Sequence, residues 1–487
     1  MMTRFPAIFI FILLFFYALS GAEILPNQVL NYSDFGFITS IAVGFDYVYF
    51  GTTNGVIRYK INGDQWADPL TGIDGLVGRE IREMKVSQDD QYVWVRTESG
   101  SYEYNRTFER WTPIDSIPDE PVTVQHLKAD PFFFPPPGYN YLPAGVLVDE
   151  TGRRFPLTDI VDDGWNYLWV GSWGVGALQA GRNNRRLEFL SYGLLQANIA
   201  AMTLDSGSLW MAGPAEADHR TGITIFDWRN NSFNFIETQG GLLFSADNIN
   251  DLAVGRNAVY VATDDGLLVV DKKERKIKDQ LHRRSGLPDN RILSVLAVGD
   301  TIFAGTEYGL GLLGVKPDST LAKTRPMLPS LSILSLEKID GDLWIGTSQG
   351  TYRLDLSTGK LTHLTAPEAA WNRILDIVYD SEKVWLISDE EMVSIDRTTG
   401  DIASFPEVRS YGGVRAVALK DSIVAVGTPG GLLLIFDREG SRHVLYTTED
   451  GLISNEIHRL VFDCDYLWVG TDQGLTRFWY ANPALGN

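Results

Sequence analysis

Six histidines, one cysteine and a few acidic clusters are the residues of this chain that could hold a metal ion or move a proton. His126, His219, His282, His363, His443 and His458 form no pair at zinc-ligand spacing, and Cys464 adds no partner. Asp162-Asp163, Asp264-Asp265 and Asp389-Glu390-Glu391 have calcium-binding chemistry. The first lies just before a Trp-bearing strand and the other two in turns after one, so they read as hydrated hairpin tips. Glycosidase carboxylates are defined by their separation in space, and an acid count cannot find them. There is no nucleophile elbow, no phosphate-cradling glycine loop and no His-Glu-x-x-His. The reading is no catalytic residue, no metal ligand and no cofactor.

Aromatic side chains are the other group with recognition chemistry, because their faces stack on sugars and anchor partners. Six of the thirteen tryptophans, with Tyr49 and Tyr260, recur at one place in a repeat, as inter-blade packing requires. The pattern is clearest in Leu467-Trp468-Val469-Gly470-Thr471-Asp472-Gln473-Gly474, in Leu343–Gly350 and in Val48–Gly55. The Thr-equivalent positions are Thr52, Thr97, Ser172, Gly213, Thr263, Thr306, Thr347, Ser388, Thr428 and Thr471, in steps of 45, 75, 41, 50, 43, 41, 41, 40 and 43 residues. All steps but the 75 suit a four-stranded propeller blade. Each copy has an apolar-rich strand, an Asp-containing turn, the Trp strand, a glycine turn and two further strands. Helical periodicity is nearly absent.

The step of 75 marks an insertion at 113–157, rich in proline (Pro118, Pro121, Pro131, Pro135, Pro136, Pro137) and aromatics. Its structural reading is a flap packed on the ring face. Its functional reading is a wall of a binding surface: Phe132, Phe133, Phe134, Tyr139 and Tyr141, with Trp165 and Trp173 beside the third copy.

The last copy lacks a fourth strand, and residues 28–36 resemble the fourth-strand stretch His443–Gly451. The N-terminal strand is therefore expected to complete the C-terminal blade, since an open edge invites aggregation. The expected fold is an all-β propeller of about ten four-stranded blades in one ring, with two smaller propellers as the alternative.

At the N-terminus Arg4 precedes the apolar run Phe5–Leu19 and the small residues Ser20-Gly21-Ala22, which is the form of a cleaved signal peptide. The domains expected are a signal peptide at 1–22 and a propeller at 23–487, exported to the periplasm or cell surface, or secreted. No later apolar run reaches transmembrane length. A single cysteine allows no internal disulfide. The formal charge of −20 disfavours nucleic acid, and repels anionic lipid or acidic polysaccharide unless a local basic patch intervenes.

The Leu-Trp-Val-Gly-Thr-x-x-Gly-Leu-x-Arg-Phe pattern, preceded by Gly451-Leu452-Ile453-Ser454-Asn455, resembles the two-component regulator propeller repeat. That resemblance implies a bacterial exported propeller of the kind found in periplasmic sensors and envelope proteins, with no catalytic residues to transfer. The chain shows none of the immunoglobulin-like, transmembrane, kinase or receiver segments of the sensor kinases. The expected function is non-enzymatic binding of a glycan, peptide or envelope protein, by a monomer acting as sensor-like module or scaffold. The alternatives are a carbohydrate-active lyase or hydrolase and an envelope or secretion assembly factor.

Overall fold

The computed structural model describes residues 29–72, 75–119, 124–127, 131–216, 219–238, 244, 246–315, 321–323, 327–364, 373–389, 391–436 and 442–481. The signal peptide expected at 1–22 lies outside them. The described residues form ten antiparallel sheets, each containing one four-stranded blade, and no α-helix. This is a β-propeller architecture.

The repeat motif is explained by two local devices. Thr471 Oγ1 donates to the Gly474 carbonyl at 2.9 Å and accepts from Gln473 N at 3.1 Å, so one hydroxyl locks the turn after the Trp strand. Thr52, Thr263, Thr306, Thr347 and Thr428 do the same in their own blades. Gly474 closes the turn at φ 143°, where a β-carbon would be strained and would strike the Tyr32 carbonyl.

The second device is a socket. The glycine before that threonine faces an isoleucine that opens the next blade in space. A β-carbon on Gly305, Gly346 or Gly427 would come within 2.8, 3.0 and 2.6 Å of Ile333, Ile374 and Ile457 respectively. Glycine at these positions serves blade-to-blade contact rather than backbone conformation; the fourth, fifth and eighth blades carry Ala212, Ala262 and Ile387 there instead.

The last blade is completed as expected. Val29–Tyr32 pairs antiparallel with Leu475–Phe478, in the register Val29↔Phe478 to Tyr32↔Leu475. The join is reinforced by Thr476 Oγ1 donating to Asn31 Oδ1 at 2.7 Å and Asn31 Nδ2 donating to the Gly451 carbonyl at 3.0 Å.

The sockets correct the size of the ring. Gly470 of the tenth blade faces Ile199, whose Cγ2 a β-carbon there would meet at 2.9 Å, and Ile199 N donates to the Thr471 carbonyl. Trp468 packs against Phe226 and Trp228 of the fourth blade, with ring centroids 5.9 and 5.5 Å away. The tenth blade therefore abuts the fourth, and blades four to ten close a ring of seven. Ile38, which a single wheel of ten would seat in Gly470, instead faces Gly171 of the third blade; Ile81 of the second faces Gly51 of the first. The first three blades thus form a separate stack in the spatial order third, first, second. The repeat identifies blades but not their neighbours: after lending its strand to the ring, the chain leaves to build the stack, and it re-enters at Ile199.

The two open ends of the stack differ. Leu168, Val170, Leu178 and Leu187 of the third blade present an apolar face toward a missing neighbour, and Phe133, Leu147 and Phe155 cover it. Tyr139–Leu142 and Val146–Asp149 extend the same sheet beyond Arg154–Asp162. The insertion is thus an end cap on the stack, standing where a blade would. At the other end, the second blade's outward face pairs Arg96 with Glu83 at 3.0 Å, and Trp94 Nε1 donates to Glu103. A polar last face is what a terminal repeat needs in water.

Ring and stack share one apolar seam. Tyr192, on the connector between them, meets Phe233 of the ring edge to face at 5.0 Å and stacks on Trp66 of the stack at 4.7 Å. Tyr192 Oη donates to the Ala67 carbonyl, and Asn231 Nδ2 to that of Trp66.

Candidate functional site

Three places gather side chains able to bind or react. The first is a cleft of ≈ 770 Å³ between the modules. One wall is the glycine-rich connector from first to second blade, with Thr71, Gly72 and Leu76–Arg79. The other is the connector Thr448–Ile453 entering the tenth blade. Asn31, Ser33 and Asn54 form the floor. The Arg79 guanidinium bridges the walls, donating to the Ile453 carbonyl at 2.7 Å. Burial pulls its pKa down against the opposing charges of Asp472 and Glu98. Hydroxyls, side-chain amides, backbone groups and the carboxylates of Glu449 and Asp450 share the lining about equally with the aliphatic Leu76, Val77, Leu452 and Ile453, and no aromatic ring lines it. Such a surface reads polar ligands by hydrogen bonds.

The second is the interior of the seven-bladed ring, where first strands of different blades face one another. Asp251, Glu337, Asp376 and Arg459, from blades five, seven, eight and ten, influence one another there. Burial raises all three carboxyls. Glu337 reaches about 7, with Asp376 and Asp251 adding to the rise, and Asp376 reaches about 6 against the pull of Arg459. Asp251 is raised although both oxygens accept backbone amides, from Leu252 and Val295. Among the described residues no group of three or more His, Cys, Asp or Glu is placed to share a metal ion.

The third is a row of exposed aromatics, and it takes in part of the sequence-derived set. Phe132 and Phe134 are 63% and 56% exposed and meet edge to face at 5.3 Å, while Trp165, at the tip of the third blade's first hairpin, is 84% exposed. Phe133 is fully buried in the end cap. Tyr139 and Tyr141 are half-buried beside it, Tyr141 donating to the Pro131 carbonyl. Trp173 lies on the opposite end of the blade, packed against Phe37, whose ring also meets His219 at 4.7 Å. His219 Nε2 stands 3.6 Å from Asp34, a carboxyl that burial pushes up to about 7. The structure thus groups Phe132, Phe134 and Trp165, builds Phe133, Tyr139 and Tyr141 into the cap, and separates Trp173.

The residues that sequence reasoning missed are Phe45 and Phe108, 78% and 77% exposed at hairpin tips of the first and second blades. Their signal was an aromatic within a turn, where the ring blades have polar pairs such as Arg256-Asn257, Asp340-Gly341 and Asp421-Ser422.

No family model matches this chain, and no curated protein matches it. Solved structures do. PorZ, a bacterial surface component of the type-IX secretion system of Porphyromonas gingivalis, is similar over 91% of this chain and 68% of its own, with a TM-score of 0.52 and 14% identity. The extracellular domain of the putative hybrid two-component system BT4673 of B. thetaiotaomicron is matched over 92% and 70%, with a TM-score of 0.49 and 14% identity. At such identity the likeness is one of fold. Both are extracellular or surface proteins, and among the described residues no helix is long and apolar enough to cross a membrane.

Proposed function

We propose that this chain is an exported, non-enzymatic binding propeller of a bacterial envelope, which holds a polar glycan or peptide ligand between its ring and its stack. The observation that carries this reading is the ≈ 770 Å³ cleft whose walls come from both modules and are bridged by Arg79. A ligand there touches both walls at once, so its binding bears on how ring and stack are held, as a sensor-like or scaffolding role needs. The surface location of PorZ supports export.

Thermal-shift screening of the chain from Glu23 onward against oligosaccharides and peptides, with product analysis on each hit, tests it. Binding without turnover that weakens in Arg79→Ala supports the reading; hits unaffected by that change remove the cleft from it.

A second reading is favoured by the carboxylates inside the ring. Glu337, with a pKa near 7, has the properties of a general acid in a carbohydrate-active lyase or hydrolase. Product formation that disappears in Glu337→Gln would replace the first reading with this one.

A further inference from the structure

In an antiparallel four-stranded blade, the first and third hairpin turns emerge at the same end. The stack's blades meet through the same glycine–isoleucine sockets as the ring's, so their ends are aligned. Phe45 and Trp165 lie on first-hairpin turns and Phe108 on a third. Phe134 is fixed beside the third blade's third turn, its N donating to the Arg185 carbonyl at 2.9 Å. Phe132 leans on Phe134. Five exposed aromatics from three blades and the end cap therefore project from one face of the stack.

Packing does not account for them, because each exposes more than half of its surface. Nor do they merge into one flat patch: Phe45, Phe108 and Trp165 stand on separate hairpin tips of three blades. A folded protein partner would need a contiguous, complementary surface. A deformable lipid interface accepts dispersed, protruding rings, and that interface is where Trp is enriched in membrane proteins.

Charge is arranged to match. The turn beside Phe134 carries Arg182, Arg185 and Arg186 in a chain whose formal charge is −20. Of the acids nearby, Asp162 is bound by Arg182 at 2.8 Å, and the Asp163 carboxylate accepts the amides of Trp165, Asn166 and Tyr167. Glu109 and Asp64 lie at the far turns, so the third-blade corner is the basic one.

We infer that this face of the stack docks peripherally on an anionic phospholipid surface, with the third-blade corner (Trp165, Phe132, Phe134 and the arginine turn) entering the headgroup region and Phe45 and Phe108 following.

The test is co-sedimentation of the chain from Glu23 onward, so that the apolar N-terminal run cannot partition by itself. The vesicles are phosphatidylethanolamine with phosphatidylglycerol, or phosphatidylcholine alone. The expected result is binding to the anionic vesicles, weaker by about fivefold for each arginine neutralised in Arg185→Gln and Arg186→Gln. Loss of at least tenfold is expected in Phe45→Ser/Phe108→Ser/Trp165→Ser, with an unchanged melting profile. Protein that stays in the supernatant with every vesicle, or a triple variant that binds as well as the parent, overturns the inference. Capture of an envelope protein through these same residues, without vesicle binding, overturns it in favour of a protein partner.

Discussion

Cysteine pairs can decide which blade follows the tenth. A β-carbon on Gly470 lies 3.3 Å from Ile199 Cβ, and one on Gly171 lies 3.0 Å from Ile38 Cβ. Disulfides bridge β-carbons about 3.5–4.5 Å apart, so small shifts suffice, and replacing each isoleucine by cysteine makes room. In a Cys464→Ser background, Ile199→Cys/Gly470→Cys should therefore crosslink within one chain under mild oxidation, as should Ile38→Cys/Gly171→Cys. The mixed pair Ile38→Cys/Gly470→Cys should not, because Ile38 occupies a different socket. The seam bond would close a loop of about 270 residues, for which chain entropy gives stabilisation on the order of 5 kcal/mol. For a chain of this size that corresponds to a melting temperature roughly 5 °C higher, lost on adding reductant. Non-reducing mobility and thiol counting by mass read the bond; melting with and without reductant reads the energy. If the mixed pair crosslinks and the Ile199 pair does not, the seven-bladed ring is wrong and one wheel of ten returns.

Four further outcomes follow from other contacts. Asn31→Ala removes an acceptor from the buried Thr476 hydroxyl and should cost about 1–3 kcal/mol in denaturant unfolding; deleting residues 29–32 should expose the strand Leu475–Phe478 and produce aggregation, read by light scattering. Thr347→Val leaves Gln349 N and the Gly350 carbonyl without their shared hydroxyl and should also cost about 1–3 kcal/mol. Glu337 and Asp376 hold their protons to about pH 7 and 6 when folded, whereas unfolded carboxyls ionise near 4. The stability from their neutral forms is complete below about pH 4 and is lost as pH rises through 6–7. Glu337→Gln should accordingly flatten the fall in unfolding midpoint between pH 5 and pH 8.

The blades were legible because the repeat encodes local structure. Thr471 and Gly474 set a turn, and Trp468 and Leu467 alternate between the two faces of a strand, all within a dozen residues. The strand exchange was legible too, since Val29–Tyr32 looks like the fourth strand that the last copy lacks. Blade adjacency was not. Ile38 and Ile199 are the same residue type opening similar strands, and only the third dimension assigns one to Gly171 and the other to Gly470. The aromatic set failed in part for a related reason. Phe132, Phe133 and Phe134 are consecutive, so an extended segment must point the middle ring away from its neighbours, and it is the middle one that fills the cap. The carboxylates inside the ring were beyond sequence reasoning, because Asp251, Glu337 and Asp376 are brought together only by ring closure.

Three blades outside a ring would ordinarily be a liability, since a blade buries its two faces only against neighbours. The stack meets this differently at each end. The third blade keeps the apolar inward face of an ordinary repeat and is given a substitute neighbour, the insertion with Phe133 and Leu147 at its centre. The second blade carries the charged Arg96 at the socket position, where every other blade has Gly, Ala or Ile, and pairs it with Glu83. A charged residue at that position blocks further blades as effectively as it solvates the last one. The stack's length is thereby written into Arg96 at one end and the proline-rich insertion at the other. Its side against the ring, through Trp66 and Tyr192, is left to form the seam beside the cleft.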